Sequence, residues 1–398
     1  MRRDIEIDLA RRTLHNFQAG TTDQAPDVMR LPVAAYTDEV RYQRESQHIF
    51  KQLPQGVALS IELPSRRCYR ALTVLGVPVL LVRDDDGKAR AFLNVCRHRG
   101  AKLCENGHGK ARVFTCPYHA WSYDRQGKLI GRYGAETFGD VDVDNMGLTV
   151  LPCAERAGLI WVVLDPSQPL DIDDWLGDFA DELASLRLNE WQIHTQRELD
   201  GPGWKVCMDG YLEAYHHKFV HAKTIGGLNT ISNLLVHDTY GPHQRLTFGR
   251  ESVSTLEGQE ESEWEPMEHI RIIHSCFPNL SLSGILGGFC LMSQIYPGED
   301  ATTTKTRQTI LVHAPDGAAY DNDAADEFSA LALEAVNIED YPIGFGIQSG
   351  IESGANSHFT FGRNECGLQH YHEWVQHFMT TAQDGSQAKG PAMAIKPL

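Results

Sequence analysis

The sequence predicts an α+β chain in two parts. A small all-β domain comes first and carries metal-ligand side chains on its loops. A larger domain of antiparallel strands and helices follows. Three observations predict this. Short apolar runs separated by turn residues fill the stretch from about Leu72 to Asp165, with two Cys/His pairs lying between them. A polar break at Asp165-Pro166 is followed by Leu176, Phe179, Leu183 and Leu186 at helical spacing. Strand-like runs then alternate with helices until a closing amphipathic segment near Cys366 to Thr380.

The elements follow in order. Residues 36 to 50, YTDEVRYQRESQHIF, read as a lead-in helix, and the first thirty residues carry little pattern. GVPVLLV and KARAFLNV, joined by a turn with Asp86-Gly87, read as a hairpin. AWSYD and KLI repeat that pattern, and GLIWVVLD (158 to 165) is a further apolar strand. Later, IRIIHSCF, LSLSGIL, FCLMSQIY and TRQTILVHA have strand character. The last helix sets Leu368, Tyr371, Val375 and Phe378 on one face. GFGIQSG (344 to 350) imitates half of a dinucleotide fingerprint, but the acidic NIEDYP precedes it where an apolar strand is required. No nicotinamide or flavin site is predicted.

Composition bounds the function. A formal charge of -17 on 398 residues argues against nucleic acid as a partner. MRRDIEIDLARR has no apolar core of a secretory signal, and the run from Val77 to Val82 is too short to span a bilayer. Nine cysteines without a short-chain disulfide pattern point to a reducing cytoplasm, with no membrane association expected. Arg97, Arg99, Lys102, Lys110 and Arg112 form a local basic exception, either steering an acidic partner protein or serving as loop buttresses and solvated charge.

Cys96, His98, Cys116 and His119 lie in NVCRHRGAKLCENGHGKARVFTCPYHAW as C-x-H, seventeen residues, then C-x2-H. Two thiolates and two imidazoles suit a metal, and the mixed order in each half suits a Rieske [2Fe-2S] centre, whose cysteines hold one iron and whose histidines hold the other. The competing reading is a structural Cys2His2 zinc site, which usually keeps like ligands together. A second cluster lies in GWKVCMDGYLEAYHHKFVHAKT, with histidines at 216, 217 and 221 and carboxylates at 209 and 213. Imidazoles plus a carboxylate with open positions suit a mononuclear Fe(II) that activates O2. In a regular helix His217 and His221 share a face and His216 and His221 do not, so spacing leaves the ligand pair open.

CRHRG and CPYHAWSYD resemble the cluster loops of the oxygenase (alpha) subunits of Rieske non-heme iron oxygenases of the aromatic ring-hydroxylating type. With Tyr118 between Cys116 and His119, the extra disulfide of respiratory Rieske proteins has no partner there, and Cys104 reads as a buried free thiol. The resemblance covers nearly the whole chain. It implies an N-terminal segment and lead-in helix over 1–44, a Rieske domain over 45–165, and a catalytic iron domain over 166–398 with a helix-grip fold and curved antiparallel β-sheet. It implies that His216, His221 and Asp340 hold the iron, with His217 the alternative to His216 and Glu339 adjacent to Asp340. It implies that Glu213 links His119 of one subunit to His216 of the next, and that Asp209 supports the site from behind. Many members carry Asp where Glu213 stands; carnitine monooxygenase oxygenase components resemble this chain in having Glu. The implied assembly is a head-to-tail homotrimer fed by a ferredoxin or flavin reductase, using O2 on a small organic substrate. The expected reaction is aromatic or alicyclic hydroxylation, with demethylation or C–N cleavage of a quaternary ammonium compound as the alternative. Leu228, Ile231, Leu234, Leu235, Ile285, Leu286 and Phe289 are the expected cavity wall. An electron-transfer protein without an oxygenase site is the reading from another class.

Overall fold

The computed structural model describes residues 1–226, 229–286 and 288–384. It divides into two compact units, one of residues 50–175 and 187–189, the other of 1–49, 176–186 and 190–398. Among the described residues, no helix is long and apolar enough to cross a membrane.

The smaller unit is all-β. Its five-stranded sheet runs in the order Val150–Leu151, Ala89–Leu93, Val77–Arg83, Cys68–Val74 and Gly107–Lys110. A three-stranded sheet pairs Cys153–Arg156, Leu159–Val162 and Gln55–Leu59, and another pairs Phe114–Thr115, Ser122–Tyr123 and Leu129–Gly131. The Asp86-Gly87 turn forms as expected: Gly87 takes φ +84, and its N–H donates to Asp84 O at 3.1 Å. The core between the sheets includes Leu80, Val82, Phe92, Phe114, Trp121 and Tyr123, and it also takes in Cys96 and Cys116. Both thiols thus enter a packed apolar floor from loops above it.

The larger unit is built on seven antiparallel strands: β1 (Trp191–Gly201), β2 (Thr230–Tyr240), β3 (His243–Arg250), β4 (Ile270–Cys276), β5 (Leu280–Leu286), β6 (Phe289–Pro297) and β7 (Thr304–His313). Their order is β1-β7-β6-β5-β4-β3-β2, so every neighbour except β1–β7 is also next in sequence. Register shifts at Ile193/Thr195, Thr230/Leu235 and Ser283/Leu286 bend the sheet. The helices used below are α1 (Arg3–Gln18), α2 (Phe179–Ala184), α3 (Trp204–Tyr211), α4 (His217–Val220), α5 (Asn322–Leu333), α6 (Tyr341–Glu352) and α7 (Cys366–Asp384). The sheet grips α7: Tyr371 donates to Pro278 O at 2.7 Å, Gln244 donates to Gly367 O at 3.2 Å, and Phe277 packs on Phe378. This is the helix-grip arrangement expected.

Two elements differ from the sequence reading. The lead-in helix is broken: a turn at Ala34–Thr37 precedes Glu39–Glu45, where Asp38 accepts from Arg41 N at 2.7 Å and restarts the helix. The amino terminus, which carried little pattern, forms α1. Leu9, Ala10, Thr13 and Leu14 are its buried face, with Asp4 and Glu6 in the first turn. That stripe is visible in the sequence, but charged neighbours on both sides dilute it. GFGIQSG lies within α6, after a helical segment, which removes the dinucleotide motif.

A buried ionic knot ties α2 to the sheet. Glu182 accepts from His274 Nε2 at 2.7 Å and pairs with Arg245 at 2.8 Å. Burial alone would raise the Glu182 carboxyl, but the hydrogen bond and charge of His274 and the charge of Arg245 outweigh it and hold it at about 2. Burial lowers His274 against the pull of Glu182, so Arg245 is the permanent cation of the knot. A carboxyl depressed in the fold stabilises fully above its ordinary range, and that stabilisation disappears as pH falls toward 2. Glu182→Gln is expected to cost about 3 kcal/mol at pH 7. The loss should shrink in thermal melts taken at progressively lower pH, and a pH-independent difference would contradict this account.

Candidate metal centres and substrate cavity

The two cluster loops are built alike. In CRHRGA the Cys96 N–H donates to Ala101 O at 2.8 Å, and Gly100 N–H returns to Cys96 O at 2.9 Å. In CPYHAW the Cys116 N–H donates to Trp121 O at 2.8 Å, and Ala120 N–H returns to Cys116 O at 3.0 Å. The fifth residue of each loop turns with positive φ, +78 at Gly100 and +57 at Ala120. Each loop therefore places a thiol at its start and an imidazole two or three residues later, by backbone bonds that involve neither ligand side chain.

Other side chains orient these ligands. His98 stacks on Trp121 (ring centroids 4.9 Å apart, planes 9° apart) and meets His119 at 4.7 Å. Arg97 N–H donates to Tyr123 Oη at 3.0 Å, which leaves the phenolic proton for Cys96 Sγ at 3.3 Å. Asn94 Oδ1 accepts from Leu103 and Cys104 N–H at 3.2 and 3.1 Å and fixes the return of the first loop. Cys104 is a free thiol of intermediate exposure, less buried than expected. His98 Nδ1 is buried with no hydrogen-bond partner among the described residues. A buried nitrogen without a partner is costly unless something else binds its lone pair. The two thiols and two imidazoles fit a cluster held through that lone pair.

The second centre depends on helix breaks. α3 ends at Tyr211, and α4 is a single turn with His216 just before it and His221 just after it. Glu213 holds the break: Oε2 accepts from the N–H groups of Tyr215 and His216, the latter at 3.1 Å, and Oε1 takes the proton of His216 Nδ1. His216 and His221 can then face each other despite five-residue spacing, with Nε2 atoms 3.1 Å apart. Asp340 arrives from a π-helical turn, Glu334–Asp340, between α5 and α6. Tyr341 N–H bonds Val336 O, five residues back, and Pro342 follows at the next position, where it has no N–H to offer.

Asp340 Oδ1 lies 3.1 Å from His221 Nε2 and 3.8 Å from His216 Nε2, and the three donor atoms fall within 4.8 Å of one another. Ligands about 2.1 Å from one ion and at right angles lie roughly 3 Å apart, so this set fits a facial two-histidine, one-carboxylate site. His221 donates from Nδ1 to Glu339 Oε2 at 2.8 Å, and Thr224 donates to the same oxygen at 2.5 Å. Each facing histidine thus carries a glutamate on its far nitrogen, Glu213 on His216 and Glu339 on His221, which fixes the tautomer and strengthens the donor. Burial opposes a charge on His221, but Asp340 and Glu339 outweigh it and raise its pKa, so the site favours a cation.

His217 does not join this set. It is buried, pushed well below its usual range by burial and by its two histidine neighbours, and it packs on Phe248 at 5.3 Å. Asp209 lies behind the triad, accepting from Tyr36 Oη at 2.5 Å and His372 Nε2 at 2.8 Å. The roles of Glu339, Thr224, Tyr36 and His372 were not read from the sequence. Only Glu339 left a signal there, as a carboxylate next to the expected ligand.

The triad separates two hollows. One is a cavity of about 150 Å³ lined by Tyr211, Phe248, Ile273, Leu291, Phe328 and Val336, among others, with Arg271 also on its wall. The other is about 320 Å³, lined by Asp209, Glu213, Glu365 and the apolar Val220, Ile343 and Ile347. His216 and Asp340 border both. The expected wall needs correction. Leu228 and the side chains of Ile285 and Leu286 lie outside the described residues. Ile231, Leu234, Leu235 and Phe289 do not line the cavity. Leu234 faces Gly249 and Thr13 of α1, and Phe289 stacks behind Phe328 at 5.4 Å. α5 and the turn after it supply much of the wall, and the sequence reading had no helix there.

Comparison with known proteins agrees with this geometry. Residues 54–138 match the Rieske [2Fe-2S] domain, and residues 188–381 match the family described as ring hydroxylating alpha subunit (catalytic domain). The chain belongs to the Rieske non-heme iron oxygenases. It is 25% identical to the glycine betaine monooxygenase oxygenase subunit of Chromohalobacter salexigens, over 97% of this chain and 95% of that one. It is 34% identical over 189 residues to the carnitine monooxygenase oxygenase subunit of Escherichia coli, a match covering 47% of this chain and 50% of that subunit. A solved quaternary ammonium Rieske monooxygenase shares the fold, with a TM-score of 0.75 at 24% identity over 89% of this chain and 96% of that one.

This Rieske oxygenase is a terminal component with two metal centres. Cys96, His98, Cys116 and His119 would hold the cluster, which would supply electrons singly, and His216, His221 and Asp340 would hold the iron, which would activate O2. The chain's own residues orient the ligands and shield the apolar cavity. His216→Ala is expected to abolish mononuclear iron while the cluster's visible spectrum persists, whereas His217→Ala should retain iron. The reverse pattern in metal analysis would make His217 the ligand. Glu339→Ala should weaken iron binding about 10- to 100-fold in chelator competition.

Proposed function

We propose that this terminal oxygenase oxidises a small organic molecule of about one ring in size, using electrons that enter through Glu213. The observation that carries this reading is the position of the triad: it opens on one side to the apolar cavity and on the other to the hollow that holds Glu213. An apolar cavity near 150 Å³ takes a benzene-sized guest. Hydroxylation of a ring is the leading reaction. Attack on a quaternary ammonium compound, with demethylation or C–N cleavage, is the second reading. Glu213 and the two named relatives favour it, and Tyr211, Phe248 and Phe328 give the cavity wall the aromatic side chains that attract a methylated ammonium.

In this proposal Cys96, His98, Cys116 and His119 hold the cluster, and His216, His221 and Asp340 hold the iron. Glu213 takes electrons from His119 of a neighbouring subunit to His216, and Asp209, fixed by Tyr36 and His372, positions α3 behind them. The Glu213 carboxylate already bonds the far nitrogen of His216, which is one half of such a bridge. A head-to-tail homotrimer supplies the other half. Ile343 (54% exposed), Ile347 (41%) and Phe219 (77%) give that region an apolar surface suited to a subunit contact. A ferredoxin or flavin reductase delivers the electrons, guided by Arg97, Arg99 and Lys102 on the first cluster loop. The compartment in this reading is the cytoplasm, where free thiols persist.

Glu213→Ala should leave both metals bound yet slow single-turnover product formation sharply. Product formation at the unmodified rate in that variant would remove Glu213 from the electron route. Oxygen uptake without product across ring and quaternary ammonium panels would remove both substrate readings.

A further inference from the structure

We propose that Arg271 anchors a carboxylate of the substrate inside the cavity beside the iron triad, an inference that rests on the cavity being the substrate site. β4 alternates across the sheet. Ile270 and Ile272 pack with Leu9 and Val236, and Arg271 and Ile273 alternate with them; Arg271, Ile272 and Ile273 all border the cavity. Arg271 stands directly opposite Phe248 on β3, another wall residue. A cation is thereby set among aromatic and aliphatic side chains.

Its bonding is incomplete. Nη1 donates to the carbonyls of Met267 and Ile270 at 2.8 and 2.6 Å, which fixes the side chain. Nε and Nη2 have no hydrogen bond, and no carboxylate pairs with the guanidinium among the described residues. Arg12, Arg41 and Arg245, other partly buried arginines of this unit, have acids in Asp238, Glu45 and Asp238, and Arg197, which pairs with no acid, has Nε, Nη1 and Nη2 bonded to Gln308 and Ser329. Among the described residues, the one acid on the cavity wall, Asp340, belongs to the iron triad. Burial, with Arg250 nearby, lowers the Arg271 pKa to about 10, as expected for a cation whose surroundings do not neutralise it.

Such a group is costly in an apolar cavity unless an anion meets it. The free Nε and Nη2 form the planar fork that a carboxylate accepts with two parallel hydrogen bonds. Fixed by the backbone, the fork loses little freedom when an acid docks. The substrate class is therefore a small organic acid whose apolar body fills the cavity. A ring acid and a trimethylammonium acid both meet this chemistry.

The test uses the iron- and cluster-loaded enzyme and two sets of probes. Benzoate and cyclohexanecarboxylate are titrated against their neutral amides, and glycine betaine and carnitine against choline. Calorimetry and perturbation of the iron site's spectrum report binding. At least one acid should bind about 10- to 100-fold tighter than its uncarboxylated counterpart. Arg271→Gln should erase that preference without weakening the counterpart, and Arg271→Lys should restore part of it. The set in which the preference occurs identifies the body of the substrate. The inference is overturned if counterparts bind as tightly as acids, if Arg271→Gln keeps the preference, or if no acid perturbs the iron site. Tight acid binding without turnover would overturn the reaction reading and leave the anchor standing. Turnover of neutral probes alone would do the opposite.

Discussion

Bringing the imidazole nitrogens of His216 and His221, five residues apart, within 4.8 Å of each other and of the Asp340 carboxylate requires a break in the helix that carries them, and the segment that carries Asp340 is irregular as well. The rest of the catalytic unit depends on meeting that requirement. Between α3 and His221 the helix stops, and Glu213 binds the exposed N–H groups of the break while holding His216 by its far nitrogen. Before Asp340 the helix widens by one residue, and Pro342 keeps the turn from closing into ordinary α geometry. Both irregularities cost hydrogen bonds that a continuous helix would make. In each case a side chain or a longer backbone bond offsets the loss at the place where a ligand is needed.

The Rieske unit meets a similar requirement with a different device. Its loops are too short for helices, so repeated backbone bonds and one residue of positive φ in each loop define their shape. Trp121 then sets the ring of His98, and the Tyr123 hydroxyl donates toward the sulfur of Cys96. One side of each loop is packed into an apolar core, and the other carries Arg99 and Tyr118, with the guanidinium 4.8 Å above the phenol ring. Buried thiols, partly exposed imidazoles and a polar outer face suit a centre that must meet a partner.

Much of this was legible because ligand chemistry is local. Thiols and imidazoles at short spacing on turn-rich loops mark a cluster without any tertiary information, and strand periodicity located β4 to β7. His216 against His217 was not decidable from periodicity, since an intact helix favours the pair that the structure sets aside. Only the family resemblance pointed to His216, and the helix break explains why. The cavity wall was misread for a related reason. Leu234 and Leu235 are apolar and near the histidines in sequence, but the register shift between Thr230 and Leu235 decides where they point. The helix that does line the cavity, α5, begins more than a hundred residues after His216.

By itself, the sequence determined the chemistry: the cluster quartet, the surplus of histidine and carboxylate near position 216, and the antiparallel strands that follow. Those follow from residue type and short-range spacing, which act within a few residues of chain. Only the tertiary structure decided which histidines converge, that Glu339 supports His221, and that Arg271 faces the cavity without an acid. Each of these depends on segments far apart in sequence, and on helix breaks and strand registers that settle only when the whole unit packs.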